Sequence, residues 1–241
     1  MLHTQYRPET WASFIGNEKA VREARGALAI QRQKLAQGTA KDGLAFQVIG
    51  ISGAGKSTMA QLIARECGAM EVDAMDYMEL DGDKCDAYAV RALEQSGGFL
   101  STRPWGKAKA IVVNEHAGDG TKSGMTPKAV QAWLTLLERL PKWAVVVFTS
   151  TESPELFGNF AGPFSRRCIN INLSNQGLAG PFAARLVEVA KCEGYELPHK
   201  VAVRMIQDAS NNLGRAIEEL GKLLAERKGG ESDGSVPVLA S

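Results

Sequence analysis

Cysteine is scarce in this sequence: Cys67, Cys85, Cys168 and Cys192 are the only four in 241 residues, and no two form a C-x-x-C pair. Scattered thiols build neither a zinc module nor a disulfide framework, so reduced cysteines and no structural metal are predicted. No apolar run approaches the roughly 20 residues that span a bilayer, and the first residues lack a charged segment leading into an apolar one. A membrane anchor and a secretory leader are therefore not expected, and a cytoplasmic location is. Charge of one sign is also lacking. Lys and Arg number 28 against 27 Asp and Glu, a formal charge of +1, which leaves only local basic patches for any contact with nucleic acid. With 44% hydrophobic residues and no internal repeat, the chain can bury one large domain and a small one.

What is present is a glycine-rich stretch. Gly50-Ile51-Ser52-Gly53-Ala54-Gly55-Lys56-Ser57 fits G-x-x-x-x-G-K-[ST] at every position. Phe46-Gln47-Val48-Ile49 before it reads as a short buried strand, and Thr58-Met59-Ala60-Gln61-Leu62-Ile63-Ala64 after it has helical apolar spacing. In that context the glycines let the backbone turn tightly enough to aim its N–H groups at a β-phosphate, and the positive end of the helix dipole adds to the field. Lys56 is predicted to reach the β- and γ-phosphates, and the Ser57 hydroxyl to sit on Mg²⁺. The predicted nucleotide contacts of the loop are Gly50, Ser52, Gly53, Ala54, Gly55, Lys56, Ser57 and Thr58.

Around this loop, an extended polar start gives way at Asn17, a cap, to a helix over Glu18 to Gln33. The loop helix runs to about Cys67. Tyr77 to Leu80 is predicted as a strand and Asp86 to Gln95 as a helix. Lys109 to Val113 is an apolar β-branched strand, followed by a helix that Thr126 caps and Pro127 opens. Ala144 to Phe148 and Ile169 to Leu173 are further strands. Continuous apolar strands alternating with helices imply an α/β, doubly wound parallel sheet covered on both faces, here over residues 1–173. Gly180 to Cys192, Pro198 to Ala209 and Leu213 to Arg227 read as three helices of a small domain over 174–228, and 229–241 as a disordered tail.

The strand Ile111-Val112-Val113 ends in Asn114-Glu115. An acidic pair beside phosphates supplies a metal-binding Asp and a Glu that polarises the attacking water. Glu115 is placed for the base. Asn114 stands where the Asp belongs: its carbonyl oxygen can orient a metal-bound water, but it adds no negative charge, so weaker Mg²⁺ binding and slow turnover are predicted.

Together these residues resemble the AAA+ ATPases, and within them the clamp-loader subunits, namely bacterial gamma/tau and delta-prime and the small subunits of replication factor C. Tyr6-Arg7-Pro8, followed by Phe14-Ile15-Gly16-Asn17-Glu18, is similar to the opening segment of that family. The resemblance implies that the backbone near Ile15 and Gly16 holds the adenine, with Tyr6 and Pro8 part of the nucleotide site. Gly106-Lys107-Ala108-Lys109 resembles the family's run into the acidic strand, in which Asn-Glu occurs among eukaryotic small subunits. Val147 to Thr151 looks like the sensor 1 strand end, where Thr149 or Ser150 would bridge the γ-phosphate and water; Thr149 is favoured. Pro163-Phe164-Ser165-Arg166-Arg167-Cys168 is similar to the motif whose arginine enters a neighbouring subunit's site. Alignment on Cys168 selects Arg167 and alignment on Ser165 selects Arg166, with Arg167 favoured. Asn211 to Ala216 resembles the sensor 2 helix start, so Arg215 would contact the γ-phosphate.

The resemblance implies ATP or ADP and Mg²⁺ as cofactors, ATP hydrolysis at the interfaces of a homo- or hetero-oligomeric ring, and opening or loading of a sliding clamp on primer-template DNA in replication or repair. Lys84, Arg91, Lys122 and Lys128 are the candidates for the DNA backbone, and Trp105, Trp133 and Trp143 are expected in the core or an interface. The family's zinc module and C-terminal collar are not found in the sequence, so a two-domain ATPase module is expected. Two alternatives stay open: a nucleotide-binding scaffold that hydrolyses poorly, and a stand-alone or phage-type DNA motor. A branch-migration ATPase would need a winged-helix domain after the lid.

Overall fold

A computed structural model describes residues 1–70, 75–116, 124–151 and 159–231. Lys122 and residues 232–241 of the expected tail lie outside them. The chain divides into two units: Asn17–Ser174, and Met1–Gly16 together with the described residues from Asn175 onward.

The first unit is built on five parallel strands, β1 (Leu44–Ile49), β2 (Tyr77–Asp81), β3 (Lys109–Asn114), β4 (Ala144–Ser150) and β5 (Ile169–Asn172), in the order β2-β3-β4-β1-β5. Strands β1, β3 and β4 are buried on both faces, which is why they read as near-continuous apolar runs rather than alternating ones. The register pairs Ile49 with Ser150, and Val113 with Phe148, so the carboxyl ends of β1, β3 and β4 finish level. Ligands of open α/β sheets bind at that edge.

The helices of this unit are α2 (Glu18–Ala36), α3 (Lys56–Cys67), α4 (Ala87–Ala92), α5 (Pro127–Leu137) and α6 (Ala161–Arg167). Asp86 caps α4 by accepting from the Ala89 N–H at 2.7 Å, and Thr126 caps α5 by accepting from Ala129 at 3.3 Å. Asn17 departs from its expected role. It sits before α2 with φ +55° and makes no side-chain cap; its amide instead exchanges hydrogen bonds of 3.1 and 2.9 Å with the backbone of Ser174. The α6 turn was not foreseen from its short, proline-containing sequence.

Trp133 on α5 anchors the core. It is fully buried, its Nε1–H donates to Cys85 Sγ at 3.3 Å, and its ring meets Phe148 edge-on at 5.0 Å. Trp133→Ala is expected to destabilise by about 3–5 kcal/mol in chemical denaturation, through the cavity it leaves. Of the other two tryptophans expected in the core or an interface, Trp143 is half-buried and Trp105 is 74% exposed, so Trp105 does not belong to the core.

The second unit packs α7 (Ala179–Cys192), α8 (His199–Asp208) and α9 (Leu213–Glu231) around Leu186, Ile206 and Leu220. The start of the chain, expected as an extended lead-in to the α/β domain, belongs here instead: α1 (Leu2–Gln5) packs on α9, and Leu2, Tyr6 and Ile15 lie against the helical core. Apolar side chains at those three positions find no partner in an extended polar segment but fill this core. Helix α9 continues to Glu231, so residues 229–231, placed in the tail by composition, are helical.

Candidate nucleotide site

The glycine loop leaves β1 at Gly50, whose N–H donates to Ser150 O at 3.1 Å. A Cβ at Gly50 would lie 2.8 Å from Leu173 O, and Gly53 and Gly55 adopt φ of +78° and +90°, so all three positions require glycine. Lys56 opens α3. Its Nζ donates to Gly50 O at 2.9 Å and Ile51 O at 3.3 Å and stands 3.9 Å from Glu115 Oε1. Burial pushes the Lys56 ammonium pKa down, and the Glu115 carboxylate opposes that shift. Ser52 and Ser57 are exposed, Ser57 in the first turn of α3, where the unpaired N–H groups of a helix start face an anion.

Opposite the loop, Thr149 Oγ1 at the end of β4 donates to Asn114 Oδ1 at the end of β3, 3.2 Å away. Glu115 follows in the left-handed region at φ +48°. Gly82 lies close beneath it, since a Cβ there would be 2.4 Å from Glu115 O. Glu115 Oε2 accepts from both N–H and Oγ1–H of Thr151 at 3.2 Å each, while Oε1 faces Lys56. Lys56, Asn114, Glu115 and Thr149, four of the predicted residues, thus meet at one edge of the sheet.

No group of three His, Cys, Asp or Glu side chains among the described residues could hold a metal unaided. The donors on offer are hard oxygens, the Ser57 hydroxyl and the Asn114 amide oxygen, with one lone pair of the latter left beside the Thr149 bond. That set fits Mg²⁺ carried on phosphates rather than in an all-protein cage.

Beneath Glu115 lies a buried cluster that the sequence reading missed. His116 donates from its backbone N–H and from Nδ1–H to Thr149 O, at 3.0 and 2.9 Å; the carbonyl can only accept, which fixes that tautomer and leaves Nε2 to accept from Gln47 Nε2–H at 2.9 Å. The His116 ring stacks on Phe164 of α6, with centroids 5.6 Å apart and planes 16° from parallel. A single Gln within the apolar run of β1 was the available signal. Burial first, against the Thr149 bond, pulls the His116 pKa down to about 4, so the ring is neutral in the fold. Above pH 6.5 neither folded nor unfolded chain carries a proton there. As pH falls from 6.5 towards 4 only the unfolded chain takes one up, so stability is expected to decline by roughly 3 kcal/mol over that window. Denaturant titrations at several pH values, with His116→Phe lacking this component, check it.

The two candidate fingers differ. Arg167 is ion-paired with Glu138 just past α5, and its Nη1 donates to Pro163 O at 3.1 Å. Arg166 is exposed and has no partner among the described residues. Of the remaining predictions, Tyr6, Pro8, Ile15, Gly16 and Arg215 lie in the helical unit. Tyr6 donates to Glu193 at 2.8 Å, and that bond raises its pKa to about 12. Gly16, at φ +73°, backs onto Leu178, and Arg215 is exposed and pairs with Glu219 at 3.5 Å. Of the DNA candidates, Lys84 pairs with Asp81 at 2.6 Å, and Arg91 and Lys128 are exposed.

Neither a protein-family model nor a curated protein sequence matches the chain. Solved structures do. A variant of RuvB from Thermotoga maritima superposes with a TM-score of 0.66 at 17% identity, covering 90% of this chain and 65% of its own. The RuvB Holliday junction branch migration motor of the same organism gives 0.65 at 16%, covering 90% and 64%. A DNA polymerase III gamma subunit-related protein of T. maritima gives 0.51 at 13%, covering 81% and 69%. The chain spans just under two thirds of the length of these RuvB structures. The fold is therefore the α/β P-loop fold with a helical region that these structures share, as expected from the sequence. No helix among the described residues is long and apolar enough to cross a membrane.

Proposed function

We propose that this protein is an AAA+ ATPase that acts on DNA as part of a ring, binding ATP with Mg²⁺ at the glycine loop and hydrolysing it with an arginine from a neighbouring subunit. The observation that carries the reading is the meeting of Lys56, Asn114, Glu115 and Thr149 at the carboxyl ends of β1, β3 and β4. Lys56 holds the phosphates, Glu115 takes the proton of the attacking water, and Thr149 orients that water. Ser57 and Asn114 would hold Mg²⁺, which supplies charge neutralisation on the phosphates.

Within that class the favoured role is opening or loading a sliding clamp at primer-template junctions. It is supported by the likeness of Tyr6-Arg7-Pro8 and Ser165-Arg166-Arg167-Cys168 to clamp-loader motifs and by the fold shared with the gamma subunit-related protein. A second reading, a DNA motor, is supported by the fold's higher TM-score with RuvB. Steady-state ATP hydrolysis tests both. The rate per protomer is expected to rise with protein concentration, to vanish in Lys56→Ala, and to respond to primed DNA plus clamp rather than to a four-way junction; the converse DNA response selects the motor.

Asn114 supplies no charge to the metal. Asn114→Asp, which keeps an acceptor for Thr149, is expected to lower the Mg²⁺ concentration for half-maximal activity about tenfold, read from Mg²⁺ titrations of turnover. Turnover that appears only in Asn114→Asp would identify a scaffold subunit instead.

A further inference from the structure

His116 occupies a place in the α/β unit that the hydrolysis scheme leaves unexplained. It is one peptide bond from Glu115, and it is fully buried. Two of its donors converge on one carbonyl, that of Thr149, whose side chain holds Asn114. Its ring lies flat on Phe164, which is itself fully buried and also meets Phe148 edge-on at 4.8 Å. Phe164 stands two residues before Arg166 and three before Arg167 on the single short helix α6. A seven-residue helix has little core of its own, so the direction in which its last residues point depends on the side chains that anchor it, of which Phe164 is the fully buried one. The anchor here rests on the His116 ring.

We infer that His116 is a positioning residue that ties Glu115 to the arginines at the end of α6, so that a protomer's own hydrolytic site and the finger it offers a neighbour are held in register. The polar side of the ring serves Glu115: the paired bonds to Thr149 O hold the left-handed turn that aims the carboxylate. The apolar face serves the finger: the stack on Phe164 fixes the tilt of α6. Gln47 accepts no part in the chemistry but donates to Nε2 and thereby holds the tautomer whose Nδ1–H faces Thr149. This inference rests on the proposed roles of Glu115 and of the arginine pair.

The two sides of the ring can be separated by substitution. His116→Phe keeps an aromatic face for Phe164 and removes both polar bonds of the ring. His116→Asn keeps a short donor towards Thr149 O and removes the stack. Each is mixed with two tester proteins: Lys56→Ala, which offers a finger but does not hydrolyse, and the double variant Arg166→Ala/Arg167→Ala, which hydrolyses but offers no finger. His116→Phe is expected to raise the turnover of the arginine-less tester about tenfold and to leave Lys56→Ala silent, whereas His116→Asn does the reverse. Both variants are expected to bind ATP within about twofold of the wild-type affinity, a split that a merely structural role would not produce. Phe164→Leu attacks the stack from its other side and is expected to behave as His116→Asn does; should a His116 variant fail to bind ATP, Phe164→Leu decides alone. The inference is overturned if the two His116 variants complement the same tester, or if Phe164→Leu still supplies a finger. Failure of the two testers to complement each other overturns the trans-finger reading, and this inference with it.

Discussion

Arg166→Ala is expected to lower ATP turnover by about a thousandfold, and Arg167→Ala by no more than about tenfold. A guanidinium that enters a neighbour's site must leave its own subunit free, and the two arginines are not equally free. Arg167 is engaged twice, by Glu138 and by the Pro163 carbonyl, in contacts that brace α6 against the end of α5. Arg166 is exposed and without a partner among the described residues. Releasing Arg167 costs an ion pair at a partly exposed site, worth up to about 1 kcal/mol, whereas no ion pair among the described residues holds Arg166. The spacing to Cys168 favoured Arg167, so the two single variants test sequence against structure directly. Turnover is measured at saturating ATP, alone and after mixing with Lys56→Ala. Recovery on mixing with the Arg166 variant is expected; the large loss falling on Arg167→Ala instead would return the role to that residue.

Glu115→Gln is expected to reduce turnover by about a hundredfold or more while leaving ATP binding nearly unchanged. The substituted amide still accepts from Thr151 but takes no proton from water. Its effect on affinity is small because Lys56 is held chiefly by the carbonyls of Gly50 and Ile51, with Glu115 at the longer distance of 3.9 Å. Single-turnover hydrolysis and fluorescent nucleotide binding on one preparation separate the two quantities. Equal loss in both would mean that Glu115 serves the loop electrostatically rather than the water chemically.

Much of the α/β unit is legible residue by residue. The glycine loop announces itself because its turn puts Gly53 and Gly55 in the left-handed region, where few alternatives are tolerated, and the strands around it because burial on both faces leaves mostly apolar, β-branched runs. Thr126-Pro127 declares a helix start through local hydrogen bonding alone. Residues 1–16 were misplaced for the opposite reason. Leu2, Tyr6 and Ile15 are too sparse to show a period, and the partners that order them come from the far part of the sequence, 187 residues on in the bond from Tyr6 to Glu193. Asn17 was misread similarly: a cap is a local inference, and a backbone partner at Ser174 overrides it.

The candidate site divides along the same line. By itself the sequence determined the chemistry available, a lysine on a glycine loop, a glutamate at a strand end, a neutral Asn114 where a charge is usual and two arginines side by side, because those roles depend on residue type and short spacing. Only the tertiary structure decided which groups meet: Glu115 between Lys56 and Thr151, Thr149 on Asn114, Arg167 tied to Glu138 while Arg166 has no partner among the described residues, and His116 joining Gln47, Thr149 and Phe164. The physical reason is that these contacts cross a parallel sheet. Neighbouring strands are separated by crossover segments tens of residues long, so the register that sets Asn114 beside Thr149 exists only once the sheet has closed around its core.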